Sequence, residues 1–252
     1  MSRMRIGLVG FGAIGQYLVQ TLDEDSFFVF DVDASKAKDA LKKGGFKSAE
    51  FVDSLAALKK RNPELVVEAA AQEAVPGVLP FLEICDVMVM SVGAFTNESW
   101  LKTAQNTAEK YRHRLYLPSG AVGGLDVLSA CEPKSVLLET RKNPKSLGRH
   151  DAKERTIFEG SAREACNKYP KNVNVAATLS LAGIGFDKTR VKIISDPEAS
   201  SNTHTVLITG NTGKYQFVFQ NRPFEKNPKT SALAAQSAVA LIRKIKGVVQ
   251  VG

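Results

Sequence analysis

The chain has 252 residues, of which 44% are hydrophobic, enough to form one or two globular domains with buried cores. No run approaches the roughly 18 consecutive apolar residues of a membrane span, and no length is left for a secretory signal before the first predicted strand, so we expect no membrane partner. The net charge of +8 is spread along the chain without interleaved aromatic residues, which disfavours nucleic acid and suits either a lysine-rich surface or attraction of small anions.

The three cysteines, Cys85, Cys131 and Cys166, are scattered along the chain without metal-ligand spacing. An odd and scattered set predicts reduced thiols, and hence a cytoplasmic location, with no metal site.

A glycine-rich turn follows the first predicted strand. The apolar run Ile6–Val9 leads into Gly10-x-Gly12-x-x-Gly15, and a helical pattern follows. Gly10 permits a sharp turn, Gly12 leaves room for phosphates, and Gly15 lets the helix approach the strand. This arrangement places a pyrophosphate on a helix N-terminus. We therefore predict cofactor contacts at Gly10, Gly12, Ala13, Ile14 and Gly15.

A second apolar run, Phe27–Phe30, ends in Asp31. It lies about 20 residues after the glycines, where dinucleotide-binding proteins carry an acid for the ribose hydroxyls. Asp31 should repel a 2′-phosphate and favour NAD, whereas Ser35, Lys36 and Lys38 could accommodate the phosphate of NADP. Without the upstream glycines, a solvated carboxylate at the strand end or a helix cap would be the preferred interpretation of Asp31.

Strands and helices alternate through the first half of the chain. This rhythm predicts a parallel, doubly wound Rossmann sheet that binds its nucleotide at the carboxyl ends of the strands. The predicted strands are 4–9, 27–31, 65–70, 87–91 and 114–118. The predicted helices are 12–23, 34–43, 54–61, 74–83 and 98–111.

Small residues end three of these strands, at 69–71, 91–94 and 118–121. Small residues let the backbone approach a flat ligand, so we predict cofactor contacts at Ala70 and Ala94. Close packing between strand and helix is the alternative explanation for each segment.

The second half predicts an α+β domain with a mainly antiparallel sheet. Strands are expected at 135–140, 190–195, 203–209 and 214–220, with a hairpin turn at 210–213 and helices at 157–167 and 173–182. An apolar helix at 231–245, between Pro228 and Gly247, is expected to return to the first domain. The predicted domains are therefore 1–120 with 228–252, and 121–227.

Candidate chemistry in the second half rests on few residues. His204 lies where a loop becomes a strand, and its imidazole could exchange protons or be a structural histidine. Asn174 could cap a helix or offer its amide to a ligand. Lys229 and Thr230 follow Pro228 at the expected helix start, where their donors would bind an anion.

Seven segments together form a recognisable pattern: 10–15, 66–75, 91–94, 118–126, 170–182, 196–204 and 227–231. Through them the chain resembles the L-aspartate dehydrogenase family along nearly its whole length. The first is generic to Rossmann enzymes, whereas the last four, in this order, are specific.

This resemblance implies oxidation of L-aspartate with NAD or NADP to iminoaspartate, which hydrolyses to oxaloacetate and ammonia and can feed NAD biosynthesis. It also implies cofactor contacts at Ala121 and Asn174 and an active-site role for His204. We place the substrate near Asn202, Lys229 and Thr230, and we expect a homo-oligomer, most simply a dimer.

Two other functions remain open at this point. One is a related two-domain reductase of another small acid, similar to dihydrodipicolinate reductase. The other is a non-catalytic protein that senses a dinucleotide. The Asn202-x-His204 pair and the Asn227–Ser231 segment favour the dehydrogenase.

Overall fold

A computed structural model describes residues 3–169, 174–225 and 227–249. The chain divides into two compact units. Unit 1 extends to Pro118 and resumes at Ala238, and unit 2 is Ser119–Ser237. The division falls inside the last helix, whereas the domain boundary predicted at 228 precedes that helix. Within the described residues, no helix is both long and apolar enough to cross a bilayer.

Unit 1 contains a six-stranded parallel sheet in the order β3-β2-β1-β4-β5-β6. The strands are β1 (Arg5–Val9), β2 (Ser26–Phe30), β3 (Ala49–Phe51), β4 (Leu65–Glu68), β5 (Asp86–Val89) and β6 (Leu115–Tyr116). The α-helices between them are α1 (Ala13–Thr21), α2 (Ala34–Gly44), α3 (Leu55–Lys59), α4 (Val75–Val78) and α5 (Glu98–Tyr111). The central strands are apolar and buried, as a sheet covered on both faces requires.

The core of unit 1 includes part of the last helix, α9 (Ala232–Lys246). Ala238, Val239 and Ile242 belong to the same buried cluster as the strands and α1. At the end of this helix, the buried ammonium of Lys246 lies 2.6 Å from a carboxylate oxygen of the fully buried Asp25. Apolar burial and an ion pair therefore both hold the C-terminal half of α9 in unit 1.

Unit 2 contains a five-stranded sheet in the order β11-β10-β7-β9-β8. Its strands are β7 (Pro133–Lys142), β8 (Arg155–Ser161), β9 (Arg190–Ser195), β10 (Asn202–Gly210) and β11 (Gly213–Asn221). Only the β7–β9 pair is parallel. The helices of this unit before α9 are α6 (Leu125–Ala130), α7 (Ala162–Lys168) and α8 (Asn174–Ala182). The predicted α/β class, a Rossmann sheet followed by a mainly antiparallel one, is confirmed.

The hairpin predicted at 210–213 is also confirmed, because Gly210 and Gly213 pair across a two-residue turn between β10 and β11. The helix predicted at 173–182 is present as α8 from Asn174 onwards, and residue 173 lies outside the described residues.

The helix predicted at 157–167 is wrong in its first half, since β8 pairs with β9 as far as Ser161. The Ser161 hydroxyl accepts from the Glu164 amide, and the Glu164 carboxylate accepts from the Ser161 amide. This capping box makes α7 begin at Ala162. The apolar spacing resembled a helical period, but pairing with a neighbouring strand determined the structure.

The segment around Pro228 also differs from its prediction, because Pro228 does not start the last helix. Asn227–Ser231 forms β13, which pairs with the short β12 (Pro223–Phe224), and α9 begins only at Ala232.

In unit 1, the helix predicted at 74–83 is a succession of 3-10 turns around the single α-turn of α4. Pro76 and Pro80 within it cannot donate the hydrogen bonds of a continuous helix.

Candidate functional site

Two of the three glycines after β1 are required by the protein's own backbone. Gly10 has φ +99°, and a Cβ there would lie 2.7 Å from the Ala70 nitrogen. A Cβ on Gly15 would overlap the carbonyl oxygen of Gly10. Gly15 thus lets α1 approach the turn after β1, as predicted, and Gly10 also lets that turn pass close to the end of β4, which was not predicted.

Gly12 differs, because nothing in the described chain lies within 4 Å of a Cβ built there. Its φ of −73° is also open to any residue. Gly12 precedes α1 and has no side chain to cap the first-turn amides, while Ala13 and Ile14 are partly exposed. Open space beside uncapped helix amides fits a pyrophosphate, so the residues present fit a dinucleotide.

Asp31 ties the end of β2 to the glycine turn. Its carboxylate accepts hydrogen bonds from the Phe11 amide at 2.7 Å and from the Asp33 amide at 2.9 Å. Asp33, not Asp31, caps α2, since its side chain accepts from the Lys36 amide. A carboxylate oxygen that accepts one hydrogen bond can accept another, so Asp31 can also receive ribose hydroxyls.

The ends of β4 and β5 are joined by Glu68, which the sequence analysis missed. This fully buried carboxylate accepts from the Ala70 amide and from the amide and hydroxyl of Ser91, each at 2.9 Å. Burial raises the pKa of Glu68, and these hydrogen bonds oppose the rise. A lone acid ending the apolar run Leu65–Val67 was the available signal. By accepting the Ala70 amide, Glu68 fixes the position of Ala70, which is exposed. Ala94, the predicted cofactor contact after β5, is buried.

In unit 2, the segment that carries Ala121 is held from two sides. Asn221, the last residue of β11, donates its side-chain amide to the Ala121 carbonyl at 2.9 Å. The Gly120 amide donates to the Ser237 hydroxyl at 3.1 Å. Asn221 also lies opposite Asn202 in the β10–β11 ladder. Ala121 is thus brought to the end of the sheet where β10 begins.

His204 lies on the buried face of β10, with 5% of its surface exposed. Its Nδ1 lies 3.0 Å from the hydroxyl of Thr140, the residue opposite it on β7. Burial, followed by the nearby Lys142 ammonium, lowers the pKa of His204 to about 3. The imidazole is therefore neutral around pH 7, with one ring nitrogen protonated and the other carrying a lone pair.

Lys142 is the second residue that the sequence analysis missed. It ends β7 on the same face as Thr140 and is only 7% exposed. Burial lowers its pKa. A lysine within a strand of alternating pattern gave no local signal, because its burial depends on what covers the sheet.

The other predicted site residues are placed less closely. Asn202 begins β10 two residues before His204 and on the same face. Asn174 is the first residue of α8, with an exposed side chain. Thr230 accepts a hydrogen bond from the Asn227 side chain at 3.1 Å. The side chain of Lys229 lies outside the described part of the structure.

Unit 2 therefore brings together Thr140, Lys142, Asn202, His204 and Asn221 on one face of one sheet. Among the described residues, no group of three or more His, Cys, Asp or Glu side chains is arranged to hold a metal ion. The chemistry that this face can perform is proton exchange at a neutral imidazole beside a cation.

Comparisons with known proteins agree with both units. Residues 124–245 match the family model "Aspartate dehydrogenase, C-terminal", and residues 10–118 match "Homoserine dehydrogenase, NAD binding domain". The chain is 40% identical to an L-aspartate dehydrogenase of Methanococcoides burtonii over 274 aligned residues, covering 99% of each chain. It is also 40% identical to that of Methanopyrus kandleri, covering 100% of each. The aspartate dehydrogenase structure from Thermotoga maritima superposes with a TM-score of 0.84 at 30% identity over both full chains.

Proposed function

This chain belongs to the aspartate dehydrogenase family, and from that premise we propose that it oxidises L-aspartate with NAD or NADP. The products are iminoaspartate and the reduced cofactor, and water then converts the imine to oxaloacetate and ammonia. The observation that carries the proposal is His204, a buried neutral imidazole held by Thr140.

His204 is proposed to handle the proton of this reaction. The substrate amine must be neutral before its Cα–H bond is oxidised, so a nearby base must accept a proton from the ammonium. With a pKa of about 3 the imidazole of the free protein is too weak a base for this step, and we infer that the negative charge of the bound substrate raises that pKa. If Nδ1 of His204 donates to the Thr140 hydroxyl, Nε2 keeps the lone pair. The same nitrogen can then assist water that adds to the imine.

The cofactor is proposed to bind unit 1 at the glycine turn. Gly12 and the first-turn amides of α1 would hold the pyrophosphate, and Asp31 would receive ribose hydroxyls. When bound, the nicotinamide supplies the two-electron acceptor. Ala70, Ala94, Ala121 and Asn174 remain proposed cofactor contacts, and Asn202, Lys229 and Thr230 remain proposed substrate contacts.

A panel of L-amino acids, each tested with NAD and with NADP, checks the proposed activity through the absorbance of the reduced cofactor. We expect signal with aspartate and none with the other amino acids. Cofactor binding without oxidation of any amino acid would reject the dehydrogenase in favour of a dinucleotide sensor. Oxidation or reduction of a different small acid alone would reject it in favour of the related reductase.

We also propose a homodimer in a reducing compartment such as the cytoplasm, where the reaction could feed NAD biosynthesis. Leu207 and Val218 are exposed on the outward face of the unit 2 sheet, and 52% of the surface of Val218 is accessible. Exposed apolar side chains on a sheet face suit self-association. Sedimentation of the purified protein tests the dimer.

The three cysteines bear on the compartment. They are buried and free, and burial raises the pKa of Cys85 and of Cys166 to about 12.

A further inference from the structure

Unit 2 holds a buried cation beside the proposed proton-handling group. Lys142 and His204 flank Thr140 on the inner face of the sheet, and the Lys142 ammonium is close enough to help lower the pKa of the imidazole. Lysine is among the residues least often buried, because removing its charge from water costs free energy. The proposed proton-handling group therefore has a buried positive charge beside it, on the same face of the sheet, where an anionic substrate would be favoured.

A second polar group lies on the same face of the sheet. Ser195 lies directly opposite Lys142 in the parallel β7–β9 ladder, so the two side chains share a face. Its hydroxyl is fully buried and makes no hydrogen bond of ordinary geometry with any residue that the structure describes. The pKa of Asp151 is lowered to about 2, mainly by the Arg149 side chain and next by the Ser195 hydroxyl. Asp151 therefore lies near this hydroxyl, but no hydrogen bond of ordinary geometry holds it among the described residues, and its proton stays open to a bound acceptor.

We propose that Lys142 binds a carboxylate of the substrate beside His204 and that Ser195 donates a second hydrogen bond to the same group. This inference rests on the aspartate oxidation proposed above. A carboxylate accepts several hydrogen bonds and carries the charge that a desolvated ammonium favours. Lys142 then replaces Lys229 as the first candidate for recognition of the acidic substrate.

Lys142→Met tests the assignment, with Lys192→Met as its matched control. Lys192 lies on the adjacent β9 but pairs with Glu139 on the outward face. We expect Lys142→Met to raise the KM for aspartate roughly tenfold to a hundredfold and to weaken competitive inhibition by succinate by a similar factor. Binding of NADH should stay unchanged, and Lys192→Met should match the parent in all three measurements. An unchanged KM and succinate inhibition constant in folded Lys142→Met would overturn the proposal.

L-Asparagine distinguishes the two carboxylates of aspartate, because it keeps only the α-carboxylate. If Lys142 binds the side-chain carboxylate, Lys142→Met weakens binding of aspartate and leaves inhibition by asparagine unchanged. If Lys142 binds the α-carboxylate, the variant weakens both the binding of aspartate and the inhibition by asparagine. Either result supports carboxylate binding by Lys142.

Ser195→Ala keeps the proposal falsifiable should Lys142→Met fail to fold. Because this hydroxyl makes no hydrogen bond of ordinary geometry within the described residues, its removal should cost the free protein little stability. The KM for aspartate and the inhibition constant of succinate should nevertheless rise severalfold. A Ser195→Ala variant with parental constants would contradict a ligand at this place. If the parent itself oxidises no aspartate but binds succinate through Lys142, only the proposed function fails.

Discussion

The hydroxyl of Thr140 lies 3.0 Å from Nδ1 of His204, across the antiparallel ladder between β7 and β10. Both side chains are buried, so this contact is shielded from water and fixes the orientation of the imidazole. With Nδ1 engaged, Nε2 is the nitrogen left for substrate. The pair gives His204 one defined chemical role instead of two interchangeable nitrogens.

Thr140→Val tests this orientation, because valine keeps the shape of threonine and removes the hydroxyl. We expect kcat for aspartate to fall roughly tenfold or more while KM changes little, since an unheld imidazole samples unproductive orientations. Thr205→Val, which changes the neighbouring outward-facing residue of β10, should have parental kinetics. Equal kcat values in all three proteins would refute the orienting role.

The low pKa of His204 predicts a stability that depends on pH. The pKa is about 3 in the folded protein and about 6.5 when the histidine is free. The unfolded chain therefore binds a proton that the folded chain excludes, and this contribution is complete above pH 6.5 and is lost as the pH falls towards 3.

Urea unfolding of the parent and of His204→Gln, each at about pH 7 and about pH 5, measures this contribution. From 1.36 kcal/mol per pH unit, the parent should lose roughly 2 kcal/mol more than the variant over that interval. Parallel losses in the two proteins would show that the folded protein accepts the proton on His204 normally.

Gly12→Ala separates ligand binding from folding at the glycine turn. Because nothing in the described chain would contact the added Cβ, we expect an unchanged free energy of unfolding. Binding of NADH should weaken roughly tenfold or more, since the methyl group occupies the space of the phosphates. Gly10→Ala is the matched comparison and should unfold more easily, because its φ of +99° and its contact with Ala70 exclude a side chain. Unchanged NADH binding by Gly12→Ala would show that the pyrophosphate does not bind at this turn.

Asp31→Ala tests cofactor choice. The carboxylate should favour ribose hydroxyls and repel a 2′-phosphate, so the parent should have a higher kcat/KM with NAD than with NADP. The variant should have a lower kcat/KM with NAD. The ratio of its kcat/KM with NAD to that with NADP should therefore be closer to one than in the parent. Because Asp31 also accepts from the Phe11 amide, its thermal unfolding should be compared with that of the parent. A parent that prefers NADP would contradict the role given to Asp31.

The features that sequence alone predicted are those with local causes. The glycine turn and the hairpin at Gly210–Gly213 each follow from the conformations of adjacent residues. The 157–167 helix was mispredicted because no local pattern shows that residues 158–161 pair with β9.

The site residues that sequence missed depend on strand register. Thr140 meets His204, and Lys142 meets Ser195, only because β7 lies between β10 and β9 with a particular alignment. Asn221 reaches Ala121 across 100 residues of chain for the same reason. No local pattern encodes such neighbours, so residues with ordinary local roles became site residues only in the folded sheet.

The most direct test of the account is the kcat/KM of His204→Ala for L-aspartate, measured alongside its affinity for NADH. The account predicts a loss of at least roughly a hundredfold in kcat/KM with cofactor affinity unchanged, since only the proton-handling group is removed. A His204→Ala protein that oxidises aspartate at the parental rate would contradict it.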